Sequence, residues 1–389
     1  MNAAEFARHL LSQFRFQTQC TNGTLPIDGR LIQKSAHWYL EQSIGNNFSP
    51  ADVHTLTEQI MRTSANNVDE LWDAHLAPIL KNIEKAAESL VPADMIRVHH
   101  LHIGHMATGQ LNAMTMPVPG HPGSYLVTLE DQVLALASLV ATTISSVIPC
   151  AQSPDGSIQF SLDEKGVEDR LSSHPEITKR FTEILVSYAI TGKFQEDHGH
   201  VAPAGRIQLA EMLTTAIDYF VVGHEYAHAI LGHFDDTGYS SARSAHDSEL
   251  TIHSWNKESD ADLVGAKLAL VAGEYDYITG FAAIGIYFDV LNIMDRAVSL
   301  LETGNQDYRQ LGTHPPAYLR KNRIRRSLLQ STDGDSRVAE QLEFASEVSD
   351  TFTKTIDLLW SAARPTISRL HMSGTSAAPK WQKNLTVVV

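Results

Sequence analysis

The stretch 224-HEYAH-228 lies inside 206-RIQLAEMLTTAIDYFVVGHEYAHAILGHF-234, a run that reads as one long helix. On a helix, positions i and i+4 share a face, one turn apart. His224 and His228 can therefore bring two imidazoles to one ion, and Glu225 beside them can reach a water on that ion. With nineteen histidines in 389 residues, a five-residue match of this kind is weak on its own. The rest of the chain has to supply a third protein ligand and leave one coordination position open, as a catalytic zinc requires.

The pattern is the HExxH arrangement of zinc peptidases. A third histidine in the extended form HExxHxxGxxH is excluded, because Leu231 and Phe234 occupy the places of its glycine and histidine. Gly232 and His233 are present but out of step. A carboxylate from the next helix is the other source. That helix opens 257-KESDADLVGAKLAL, about 30 residues past His228, which leaves room for a loop and a return. Glu258 and Asp262 share one face of it. Glu258 can be the third ligand, and Asp262 can orient an imidazole through its far nitrogen. The bland alternative is a solvated acidic helix start, since carboxylates favour first turns.

Composition narrows the function classes. A formal net charge of −15 repels phosphate backbones and argues against nucleic acid as a partner. Two cysteines, Cys20 and Cys150, form no CxxC pair and fit a reducing, cytoplasmic compartment. The N-terminus has no continuous apolar stretch of the kind a secretory signal carries. The run 133-VLALASLVATTISSVI-148 is shorter than the roughly 20 residues of a membrane span and reads as a buried helix. The run 278-ITGFAAIGIYFDVLNIM-294 is interrupted by Asp289 and reads the same way.

Residues 1–92 are predicted as a helical N-terminal region, a candidate module for a regulatory protein partner. Its last helix runs over 68-VDELWDAHLAPILKNIEKAAESL-90, with Asn67 as N-cap and Pro78 kinking or breaking it. A small sheet is expected over residues 95–129, with 124-SYLVTL-129 a strand after the turn 119-PGHPG-123. Helices follow, residues 151–172 read as loop, and 373–389 as a loose tail. The expected division is 1–92, a domain over 93–330, and a C-terminal helix and tail over 331–389. Within 98-VHHLHIGH-105, His100 and His102 share a strand face and could hold a second metal, although ordinary polar strand positions explain them better. His198, His200, His246 and His253 read as solvated loop positions flanking the metal helix.

HEYAH followed by 258-ESDAD-262 resembles the HExxH and ExxAD blocks of HtpX-like and type I CAAX prenyl protease-like gluzincins. The segment 313-THPPAYLR-320 is similar to that family's HPP block with its downstream arginine. 112-NA-113 with the strand SYLVTL looks like its Asn-Ala and edge strand, and the order of all four blocks agrees. The resemblance implies an α+β, mainly helical fold with a thermolysin-like core, and one Zn2+ per chain on His224, His228 and Glu258. It implies Glu225 as general base and His314 as an oxyanion stabiliser. The implied activity is a zinc endopeptidase acting on a protein or peptide substrate laid along the SYLVTL edge by strand addition. A looser likeness is to phage-exclusion peptidases, soluble intracellular proteases awaiting a partner. The rival from another class is a gluzincin scaffold used only for binding.

Overall fold

The computed structural model describes residues 2–5, 7–8, 11, 68–92, 96–106, 111–152, 158–161, 163–194, 206–234, 248–273, 275–310, 314–330, 336–382 and 385–387. Its long helices are α1 (Val68–Leu90), α2 (Asp131–Val147), α3 (Glu164–Ser173), α4 (Pro175–Thr191), α5 (Ile207–Ile230), α6 (Ser248–Ala272), α7 (Tyr277–Thr303), α8 (Ala317–Gln330) and α9 (Ser336–Met372). The short α10 (Pro379–Gln382) follows. One three-stranded sheet, β1 (His100–Met106), β2 (Ala113–Pro117) and β3 (Ser124–Glu130), has the order β1-β3-β2. The pairs β4 (Cys150–Gln152) with β5 (Ile158–Phe160), and β6 (Tyr308–Gln310) with β7 (Leu385–Val387), are separate ribbons. The fold is mainly helical α+β, as the sequence patterns imply.

Helix α5 is the axis of the molecule. Every residue from Ala216 to Ile230 is buried, so this stretch of the helix has no solvent face. A helix enclosed in this way must satisfy its polar side chains internally, because a buried polar group without a partner costs several kcal/mol, on the order of 2–7. Those side chains are Asp218, His224, Glu225 and His228. Asp218 meets His75 of α1 at 2.9 Å. The other three form the site described below.

Helix α6 crosses α5 backbone to backbone. A Cβ built on Gly265 would lie 2.6 Å from the His224 nitrogen, and one on Gly223 would lie 2.8 Å from the Gly265 oxygen. The two glycines let the helices approach until Glu258 and Asp262 face His224. Helix α1 lies over both, with Leu76 and Ile83 fully buried in the same hydrophobic cluster as Phe220 and Phe288. That cluster also takes in Ile356, Leu359 and Trp360 of α9.

Several sequence expectations are corrected. SYLVTL is the central strand, not the edge: β3 pairs with β1 in parallel and with β2 antiparallel, and all seven of its residues are buried. The margin beside α5 is β2. Helix α1 runs unbroken through Pro78. Residues 151–172 include the β4–β5 ribbon and most of α3, whose start is capped by Asp163 accepting from the Gly166 N–H at 2.8 Å. The tail is docked: Ala378 N–H donates to the Ala189 carbonyl at 2.9 Å, and β7 pairs with β6. Helix α6 begins at Ser248, ahead of the expected opening at Lys257. Residues 235–247, most of the N-terminal region before Val68 including Cys20 and Asn67, and His198, His200 and His246 lie outside the described residues, and of His253 only its place in α6 is described.

Helix α7 is, among the described helices, long and apolar enough to cross a membrane by length and composition. Here 61% of its most apolar window is buried in the protein. Its Asp289 is held by Lys321 Nζ and Thr353 Oγ1 at 2.6 and 2.8 Å.

Candidate metal centre

The i, i+4 spacing works as the sequence implies: His224 and His228 project from one face of α5, with their Nε2 atoms 3.2 Å apart. Glu258 of α6 completes the set, its Oε2 3.4 Å from His224 Nε2 and its Oε1 3.5 Å from His228 Nε2. One donor atom from each of the three lies within 4.8 Å of the others, a spacing that suits a shared cation. Among the described residues no other group of histidine, cysteine and carboxylate side chains converges in this way. In particular, His100 and His102 belong to none.

The far nitrogens are fixed. His224 Nδ1 sits 3.0 Å from Asp262 Oδ1. His228 Nδ1 is 2.8 Å from His233 Nδ1, and Lys257 Nζ donates to the His233 carbonyl at 2.7 Å. Nε2 of His224 faces the second imidazole and the carboxylate of Glu258. Groups this close, 3.2–3.5 Å apart, are held together by positive charge, either a proton on His224 or a cation in its place. Glu258 Oε2 sharpens the point. It is buried with no hydrogen bond of good geometry, although His314 Nε2, His224 Nε2 and Arg320 Nη2 stand 3.2, 3.4 and 3.8 Å away. The donor set of two imidazoles and one carboxylate fits a divalent cation.

The electrostatics agree. Burial works against a charged His224, but Asp262 and Glu258 outweigh it and raise its pKa to about 10. Burial likewise opposes a charged Glu258, and its histidine neighbours outweigh that, lowering it to about 2. Burial first, then the charge of His224, drives His228 down to about 3. The cluster holds its carboxylates ionised around positive charge at its centre, which a protonated His224 or a bound cation supplies.

Arg320 of α8 locks the assembly. Its Nε and Nη2 donate to both oxygens of Asp262 at 2.7 and 2.6 Å, a bidentate pair, and its guanidinium lies 5.0 Å over the Phe288 ring. His314 reaches Glu258 from the turn that precedes α8, and its side chain is half-exposed. The HPP block thus delivers both His314 and Arg320 to the centre. Asp262 does touch the far nitrogen of His224, as its helix face implies.

Glu225 is buried beside the ligands, and burial pushes its pKa up. Thr115 of β2 donates to it: Thr115 Oγ1 lies 2.8 Å from Glu225 Oε2 and 2.9 Å from the Glu225 carbonyl oxygen. Sequence reading missed Thr115, for it is one polar residue in a five-residue strand and stands 110 positions from its partner. A cleft of about 300 Å3 opens onto the centre, with His224, Glu225, His314 and Arg320 in its lining. Asn112 and Ala113 at the start of β2 border the same cleft.

Comparison of the chain with protein-family models, with characterised proteins and with solved structures finds no match. The geometry of the centre therefore carries the functional reading.

Proposed function

We propose that the protein is a soluble, cytoplasmic zinc endopeptidase with a thermolysin-like arrangement around its metal. One observation carries this reading: His224, His228 and Glu258 converge on one point, with a buried glutamate in the same cleft that is not needed as a ligand. A structural cation has no use for Glu225. A hydrolytic one needs a base at that place.

Zinc held by the three ligands would supply Lewis acidity, acidifying a water and polarising a carbonyl. The residues do the rest. Glu225 accepts the proton of the attacking water and later passes it to the leaving amine. Thr115 occupies Oε2, which leaves Oε1 as the oxygen that takes the proton. Asp262, itself clamped by Arg320, holds the His224 ring in the tautomer that directs Nε2 at the cation. His314, half-exposed at the cleft with its Nε2 3.2 Å from Glu258 Oε2, would turn to a developing oxyanion as its donor. An extended substrate would add to β2, the sheet margin beside α5, with backbone hydrogen bonds giving affinity at little cost in sequence range.

The test is Glu225→Gln. The variant should carry the same metal as wild type and cleave a peptide library about 10²–10⁴-fold more slowly. Glu258→Ala should lose the metal itself. Undiminished cleavage by Glu225→Gln, or wild-type protein that takes up no zinc, would end the peptidase reading. Full metal with no cleavage by wild type of any peptide would favour the binding scaffold.

A further inference from the structure

The lining of the cleft also includes apolar residues. Val133 of α2, Tyr188 of α4, and Leu291 and Met294 of α7 line it, together with Trp381 from the tail beyond α9. Asp295 is the charged group among them, and it adds to the burial that raises the Tyr188 phenol pKa. Trp381 is anchored from several directions. Its ring packs against Tyr188 at 5.0 Å, and Tyr188 in turn stacks on Phe194 at 5.1 Å. Its indole N–H donates to the Tyr188 carbonyl at 3.4 Å and its backbone N–H to the Ala378 carbonyl at 2.8 Å. Just upstream, Ala378 N–H donates to the Ala189 carbonyl and Ala377 N–H to Glu302 Oε2, both at 2.9 Å. Ala377 and Ala378 are buried. A loose tail would make none of these contacts.

A cleft of about 300 Å3 stands at the lower end of ligand-sized pockets, roughly 300–1,000 Å3. It admits one or two side chains and excludes a folded segment. The candidate metal centre lines the same small cleft, so a side chain held against these apolar residues belongs to a residue close to the scissile bond. An indole is rigid and apolar, and one fixed by ring packing and hydrogen bonds keeps its position when a ligand arrives.

We propose that the C-terminal tail forms a wall of the substrate cleft and that Trp381 sets the size of the apolar side chain admitted beside the scissile bond. The proposal rests on the peptidase reading and assigns that site a preference for bulky aliphatic or aromatic residues. Trp381 is a specificity-determining residue, with no part in holding the metal.

Zinc-loaded full-length protein would be titrated calorimetrically with short peptide hydroxamates carrying Ala, Leu, Phe or 2-naphthylalanine beside the metal-binding group. Wild type should bind the Leu or Phe compound about tenfold or more tighter than the Ala compound. Trp381→Ala should keep its zinc, lose most of that preference, and favour the naphthyl over the Phe compound. Leu291→Trp, which fills the cleft from α7 and leaves the tail intact, should weaken the Phe compound about tenfold and leave the Ala compound within about twofold. This second variant decides the matter if Trp381→Ala fails to fold. An unchanged ranking across wild type and both variants would overturn the role of the wall and leave the metal reading standing. A wild-type protein that loads zinc and binds none of the hydroxamates would overturn both.

Discussion

A threonine hydroxyl has one hydrogen to give, and Thr115 has two acceptors for it on the same residue, Oε2 and the main-chain oxygen of Glu225. While Glu225 is a carboxylate, the charged acceptor takes the hydrogen, since bonds to ionised groups are the stronger ones. That bond pins one carboxylate oxygen and leaves the other for chemistry. A hydrogen bond to a charged group contributes roughly 1.5–3 kcal/mol, and each 1.36 kcal/mol is tenfold in rate. Thr115→Val should therefore lower kcat about 10- to 100-fold with KM and zinc content unchanged, and Thr115→Ser should restore most of it. Steady-state kinetics beside metal analysis reads this directly, and a Val variant with wild-type kcat would remove Thr115 from the machinery.

At the scale of elements, the α5–α6 crossing decides whether the ligands meet. Alanine is a better helix former than glycine by about 1 kcal/mol, so Gly265→Ala would stabilise an exposed helix. Here the added Cβ would lie 2.6 Å from the His224 nitrogen and 2.7 Å from its Cα, both main chain, and the helices must part. The expected result is a drop in zinc affinity of about tenfold or more, with the helical circular dichroism signal retained. The α1–α5 contact makes a different prediction. The bond to Asp218 raises the His75 pKa above 6.5, and burial, opposed by His75, raises that of Asp218 above 3.8. Raised folded-state pKa values mean that the stabilisation is complete at acid pH and is lost as pH climbs through them. For the half-exposed His75 this sets in above pH ~6.5 and amounts to about 1 kcal/mol or less. Thermal melts of wild type and His75→Asn should thus converge as pH rises from 6 to 9, and a constant gap would show that the pair does not titrate.

The same elements show what was legible beforehand. HEYAH and ESDAD each encode their geometry in a four-residue spacing, so the face that carries the ligands could be read without the fold. SYLVTL does not alternate polar and apolar residues, and a near-continuous apolar strand of this kind is the signature of one buried on both sides, which signalled the centre of the sheet over its edge. Helix α3 hides because it is polar, with Val167 its one buried residue. The tail hides because Ala377, Ala378 and Trp381 follow no period, and only the surfaces of α4 and α7 give them a place. Gly223 and Gly265 carry no sequence signal of their own, and only the crossing of the two helices gives them a reason.

Across the whole molecule, one hydrophobic cluster runs from Leu76 of α1 through Phe220 of α5 to Trp360 of α9. Stripping the cation with a chelator should therefore leave the fold intact: the far-ultraviolet spectrum should persist, and added zinc should reload the site without refolding. Small zinc domains behave oppositely, because their metal is their core. Collapse on chelation would mean that the cation organises the helices. The glycine seam between α5 and α6 carries a last consequence, for mutational drift. The atoms in the way of a new side chain are main chain on both partners, so trimming a neighbour cannot suppress a substitution at either codon. The solvent-facing positions of α6 can vary freely, while these two can tolerate change only by reversion.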